Sequence, residues 1–143
     1  MAKEAKVPVQ PKAANRSLGH GVGRRKSSVA RVWLKRGSGQ IKVNGKDYTE
    51  YFSVKVSQMI TRRPLELLSE SKSYDIQANV NGGGFCSQAG AVMLGIARAF
   101  VDNNEELKPV FKKEKLLTVD SRVKERKKYG QRGARRKFQF VKR

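Results

Sequence analysis

The last 25 residues, 119–143, carry 11 lysines and arginines against two acids, and this limits what the chain can fold into. Gly130 and Gly133 break any regular element there, and the segment cannot bury enough apolar surface to offset the entropy of ordering it. It is therefore expected to order only against a partner. The imbalance recurs at the other end, where residues 1–40 hold 10 cations and one acid. Between the two flanks, residues 41–107 hold seven cations and eight acids. Nearly all of the net charge of +20 thus lies outside a neutral middle. A merely solvated surface mixes its signs, whereas blocks of like charge serve as interaction arms. What remains suffices for one small core. The expected organisation is a flexible extension over 1–20, a globular domain over 21–118 and an extended basic tail over 119–143.

Such an excess of cations implies a polyanionic partner: nucleic acid, an anionic membrane surface or a polyanionic carbohydrate. No apolar run approaches the length that spans a bilayer. Met1 to Gly23 lacks the apolar stretch of a secretory signal and the Arg and Ser of a transit peptide. One cysteine, Cys86, cannot form an internal disulfide, which fits a reducing compartment. The expected location is the cytoplasm, with an organelle interior as the lesser alternative. A membrane-binding arm would be an amphipathic helix with a continuous apolar face. Here Tyr129, Phe138 and Phe140 are scattered among cations and glycines. Cations meet phosphates, and aromatic rings and Arg planes stack on unpaired bases, so the tail points to RNA. Arg122, Lys124, Arg126, Lys127, Lys128, Arg132, Arg135, Arg136 and Lys137 are its candidate contacts. Fully extended, the tail would reach roughly 80–90 Å, at ~3.3–3.6 Å per residue.

The middle reads as a small α+β domain. From Ser28, Ala30, Val32 and Leu34 alternate with Val29, Arg31 and Trp33, the pattern of a strand. Gly37-Ser38-Gly39 reads as a turn returning Gln40–Val43 as the second strand of a hairpin. Asn44-Gly45 suits a turn with positive φ at both residues, before a third short strand around 47–52. Helices are expected over 54–60 and 64–69, with Pro64 opening the second and arguing against an unbroken helix through Arg62-Arg63. Tyr74, Ile76, Ala78 and Val80 alternate as a strand. Ala89, Val92, Met93, Ile96, Ala97, Phe100 and Val101 then mark the buried face of a long helix, with Ser87 as N-cap and Asn103-Asn104 as its stop. A weaker helix covers Glu105–Lys115. The sum is a four-stranded sheet with helices on one face.

Catalytic and metal chemistry find little support. His20 is the only histidine and lies in a Gly-rich stretch that reads as mobile; no triad can be placed around it. Cys86 precedes a helix but has no obvious base, and one Cys with one His cannot close a zinc site. Gly82-Gly83-Gly84 lies between a strand and a helix, yet no Gly-Lys-Ser/Thr follows, and Phe85-Cys86-Ser87 departs from the dinucleotide fingerprint. The glycines admit unusual backbone angles or a close polyanion, and the helix start offers N–H groups to an RNA phosphate. Arg24-Arg25-Lys26-Ser27-Ser28 combines three cations with two hydroxyls, a good phosphate cluster. Arg62-Arg63 is less distinctive, since Arg near a helix C-terminus complements the dipole. No enzyme, cofactor, metal or small-molecule substrate is expected.

Several stretches, taken in order, resemble the small-subunit ribosomal protein nine family of the bacterial and organellar type. They are Gly23-Arg24-Arg25-Lys26-Ser27-Ser28-Val29-Ala30-Arg31-Val32, Arg63-Pro64-Leu65-Glu66-Leu67, Val80-Asn81-Gly82-Gly83-Gly84 with Gln88-Ala89-Gly90-Ala91, and Asp120-Ser121-Arg122 through Tyr129-Gly130 to Gln139-Phe140-Val141-Lys142-Arg143. The resemblance implies a fold like the second domain of ribosomal protein five. It also implies binding to ribosomal RNA in the head of the small subunit beside neighbouring ribosomal proteins. On the same ground the tail threads through RNA, and Lys142 and Arg143 touch the peptidyl-site transfer RNA. Met93-Leu94 stand where the family usually has Arg-His, Gly133 where it often has Lys, and Val141 where it commonly has Ser. An RNA contact at Met93-Leu94 is therefore not carried over. Two other readings remain: a free nucleic-acid-binding module and an anionic-membrane binder.

Overall fold

The computed structural model describes residues 17–68 and 73–140. Most of the expected extension, Ser69 of the second expected helix, and Val141-Lys142-Arg143 lie outside the described residues. The elements are β1 (Gly19–Arg25), β2 (Ser28–Arg36), β3 (Ile41–Val43), β4 (Lys46–Asp47), α1 (Tyr48–Tyr51), α2 (Lys55–Glu66), β5 (Tyr74–Asn81), α3 (Phe85–Asn103), a 3-10 turn (Glu105–Leu107) and α4 (Lys108–Lys113). The strands form one mixed sheet in the order β1-β2-β5-β3-β4. β1 and β5 flank β2 antiparallel, and β3 runs parallel to β5. The α+β class with helices on one face holds, but the sheet has five strands rather than four.

The added strand is β1. Its inward positions are Gly19, Gly21 and Gly23, so it carries no apolar alternation to read. Glycine is required there by contact. A Cβ at Gly21 would collide with the carbonyl oxygen of Gly95, and one at Gly23 with that of Ala91. Backbone thus lies directly on backbone, with α3 presenting Ala91, Gly95 and Ala99, one turn apart. α3 also closes the free edge of β1. Asp102 accepts from the His20 N–H at 3.0 Å, and Arg98 donates to the Val22 carbonyl at 2.7 Å. His20 is therefore in the sheet and not in a mobile stretch.

The expected β2–β3 hairpin is absent, because β5 inserts between them. Residues 37–40 instead cross the end of β5. There the Asp75 carboxylate accepts from the N–H groups of Ser38, Gly39 and Gln40 at 2.8–3.0 Å. Turn-like glycines here mark a crossover whose donors are satisfied by a side chain. Asn44 and Gly45 do take positive φ, 50° and 83°, in the β3–β4 turn. The Asn44 amide then extends the ladder by exchanging hydrogen bonds with the Val80 backbone, both at 2.9 Å. The third expected strand shrinks to the two residues of β4, and Asp47 starts α1 by accepting from Thr49 N–H.

α2 runs unbroken through Arg62-Arg63, contrary to the expected split. Pro64 sits in its last turn, where the missing N–H removes one hydrogen bond, and its ring is buried. With Ser57 and Thr61 it presents a small-residue face to the interior. α3 begins at Gly84, and Ser87 caps from three residues inside rather than at the cap position, accepting from the Gly84 N–H at 3.0 Å. α3 is buried on more of its circumference than one stripe: Gly90, Ala91, Leu94, Gly95 and Ala99 join the expected face. It lies between the sheet and α2. The core packs Val32, Leu34, Ile76 and Val80 of the sheet against Val92, Ile96 and Phe100, and Phe111 and Leu116 close one end.

Gly23→Ala forces a Cβ into backbone, so it should cost at or beyond the top of the ~1–3 kcal/mol of ordinary overpacking. Gly133→Ala, whose Cβ would meet only the Arg136 Cβ at 3.6 Å, should stay within about 0.5 kcal/mol. Urea unfolding followed on Trp33 emission measures both.

Candidate nucleic-acid interface

The two basic flanks meet at the root of the tail. Arg24 and Arg25 end β1, and Asp120 opens the tail beside them. Together with Arg63 of α2 and Lys115 they ring a hollow of about 280 Å³. Its floor includes Met93 and Leu94 of α3. Arg25 is fixed by donating to the Cys86 carbonyl at 3.0 Å, at the start of α3. Arg63 lies 3.6 Å from Glu114. From the sequence Arg63 reads only as a complement to a helix dipole and Lys115 carries no signal, since only the fold sets α2 and the end of α4 against β1. The Met93-Leu94 departure supplies an apolar surface between cations.

Lys26 occupies the tip of the β1–β2 turn with φ 52°, fully open to a ligand. Ser28, read with it as a phosphate contact, is not available. It is buried, and its hydroxyl donates to the Gly82 carbonyl at 2.9 Å and lies 2.7 Å from the Ser87 hydroxyl. The glycine run is explained by the same packing. A Cβ at Gly83 would strike the Ser28 and Ser87 hydroxyls, and Gly82 and Gly83 take φ 75° and 65°. The Gly84 N–H is engaged by Ser87, so it is not free for a phosphate.

The tail leaves the domain without regular secondary structure over 119–128 and bends over 129–135. It is more organised than its composition suggests. Arg122 grips Asp120 with Nε and Nη2 at 2.9 and 3.0 Å and also gives its backbone N–H. These contacts, the side-chain one foremost, pull the Asp120 carboxyl down from 3.8 to about 2, with Arg25 adding a weaker attraction. Arg122 is correspondingly raised. Farther on, Glu125 receives Arg135 Nε at 2.9 Å and lies 3.7 Å from Lys128 Nζ. This draws the chain into a loop closed by the Arg132 N–H on the Arg136 carbonyl at 2.9 Å. Arg132 stacks over Phe138 at 5.3 Å.

The loop leaves its chemistry facing out. Among the described residues no carboxylate lies in ion-pair range of Lys124, Arg126, Lys127, Arg132, Arg136 or Lys137. Tyr129 and Phe140 are 95% and 101% exposed, an arrangement that water alone does not favour. Lys142 and Arg143 lie outside the described residues.

A small mixed-sheet domain, cations ringing the root of its tail, and an arm on which unpaired cations and bare aromatic rings outnumber the acids define a protein built into a ribonucleoprotein. The chain belongs to the family described as ribosomal protein S9/S16, whose model matches residues 23–143. Small ribosomal subunit protein uS9 of Cytophaga hutchinsonii is 54% identical over 122 residues, 85% of this chain and 95% of that protein. Members of this family are structural proteins and not enzymes.

Asp120 should titrate near pH 2 instead of 3.8. A depressed carboxyl contributes order above its unfolded value and loses it as pH falls through the folded one. The Asp120–Arg122 grip should therefore persist at pH 4 and be lost toward pH 2, as followed by the Asp120 carboxyl chemical shift. Glu125→Gln makes the tail more basic yet removes its clamp, and exposed ion pairs contribute ~0.2–1 kcal/mol. Trypsin cleavage within 126–136 should accelerate by roughly 1.4- to 5-fold; an unchanged rate would show that Glu125 does not hold the loop.

Proposed function

We propose that this protein binds ribosomal RNA through Arg24, Arg25 and Lys26 and through Arg122, Lys124, Arg126, Lys127, Lys128, Arg132, Arg135, Arg136 and Lys137. Family membership makes it a structural constituent of the small ribosomal subunit, with ribosomal RNA and neighbouring ribosomal proteins as partners. Its place of work is the ribosome of the bacterial cytoplasm. The observation that carries the RNA reading is the tail, where cations without acidic partners alternate with exposed aromatic rings. Each free cation can neutralise a phosphate and release counterions, and each ring can take an unpaired base.

The roles divide along the chain. Arg24 and Arg25 together with the tail root hold the domain against RNA folded in the subunit head. The arm of residues 119–143 follows the RNA inward, and Lys142 and Arg143 reach the transfer RNA in the peptidyl site. Their family motif supports that last step.

Removing Lys142 and Arg143 should leave incorporation into small subunits nearly unchanged on a sucrose gradient, while weakening peptidyl-site transfer-RNA binding several-fold. Equal transfer-RNA affinity in the shortened and full chains would falsify the terminal contact. Removing everything after Val119 takes away 11 cations at once. It should strongly reduce incorporation, and undiminished co-sedimentation would overturn the anchoring role of the tail.

A further inference from the structure

The helices cover one face of the sheet. On the other face the outward positions of four strands stand side by side, with Arg31, Lys42, Gln77 and Asn79 exposed and Trp33 and Lys35 half-buried. One row crosses the sheet as His20, Trp33, Gln77 and Lys42, and adjacent rows contain Arg31 beside Asn79 and Lys35 beside Asp75. The His20 and Trp33 rings are paired, centroids 5.3 Å apart and planes at 45°. A hollow of about 330 Å³ lies next to them, between Lys35 and Lys42 and over Gln77. One acid, Asp75, lines the hollow itself; its carboxylate accepts from three backbone N–H groups of residues 38–40 and is also attracted by Lys42. Those bonds, Gln40's foremost, keep its carboxyl below the usual range. Asp47, at the margin, is likewise held by Thr49.

We infer that this open face is a second RNA surface, taking an unpaired segment whose base stacks on the Trp33–His20 platform and whose phosphate lies between Lys35 and Lys42. The choice of RNA over a protein partner follows from the residues present. A protein-docking face would carry a contiguous apolar patch at its centre. Here the apolar Val22 and Val29 are interleaved with Arg24, Arg31 and Asn79, and the face carries one aromatic platform, the cations Lys35 and Lys42, and the amides of Gln77 and Asn79 suited to base edges. The face lies across the sheet from the α3 surface that floors the hollow at the tail root. A small domain would thus be held by RNA on two sides, and not only by its arm. The inference rests on the RNA reading above but involves none of the residues assigned there.

Trp33 is the only tryptophan and sits in the proposed site, so its emission reports the site directly. The full chain is titrated with a short oligouridylate while total binding is followed by anisotropy of a label on the RNA. Trp33 should be quenched as the oligonucleotide binds, and inorganic polyphosphate, which has charge but no base, should not quench it. Lys35→Ala with Lys42→Ala should raise the quenching midpoint several-fold. The same pair should lower the salt slope of quenching by up to about 0.7, the value for one single-strand phosphate. If the alanine pair fails to fold by circular dichroism, Lys35→Gln with Lys42→Gln repeats the measurement. Anisotropy that saturates while Trp33 emission stays constant overturns the sheet-face site and leaves RNA binding by the tail standing. Quenching that is unchanged in both lysine pairs also overturns it, whereas a chain that binds no RNA at all by anisotropy would overturn the broader reading as well.

Discussion

The structure depends on the absence of side chains between β1 and α3. Because Gly19, Gly21 and Gly23 have none, the strand backbone rests on the backbone of α3 at Ala91, Gly95 and Ala99. That close approach lets Arg98 and Asp102 reach over the edge of β1 and satisfy two of its outward backbone groups, the His20 N–H and the Val22 carbonyl. An edge that would otherwise invite another strand is thereby closed. It also delivers Arg24 and Arg25 to the start of α3, where Arg25 is tied to the Cys86 carbonyl. The basic cluster at the tail root is a consequence of how tightly these two elements pack.

Around that cluster the electrostatics follow a simple division. Acids are few, and those that matter are committed to holding backbone or another side chain in place. Asp75 organises the crossover at 37–40, Asp47 starts α1, Asp120 holds Arg122, and Glu125 bends the tail. In the arm, Lys124, Arg126, Lys127, Arg132, Arg136 and Lys137 have no carboxylate in ion-pair range among the described residues. A polyanion can therefore meet these six cations without first breaking ion pairs, while Asp120 and Glu125 give the arm some shape before binding. Ordering entropy is the main cost of folding a disordered arm on a partner, so a preformed loop lowers it.

What was legible depended on where side chains carry the pattern. β2, β5 and α3 were visible because their buried positions are apolar and recur at the proper period. β1 was invisible, since its buried positions are glycines that carry no hydrophobic signal. The β2–β3 hairpin was misread because Gly37-Ser38-Gly39 has turn composition, while the strand that separates β2 from β3 comes over thirty residues later. Pro64 suggested a break that its position in the last turn of α2 makes unnecessary. Within the site, the cations of the arm were readable from charge alone. The loss of Ser28 to internal hydrogen bonding and the arrival of Arg63 and Lys115 were not, because both come from contacts between distant segments.

By itself the sequence determined that this protein has a neutral domain between basic flanks, that its arm cannot make a core, and that its partner is a polyanion. Charge and apolar period are local quantities, and counting them along the chain is sufficient. Only the tertiary structure decided the strand order, the role of the glycines in β1, and which cations stand together at the root of the arm. Those depend on which distant backbones can approach most closely, and that distance is set by both partners at once.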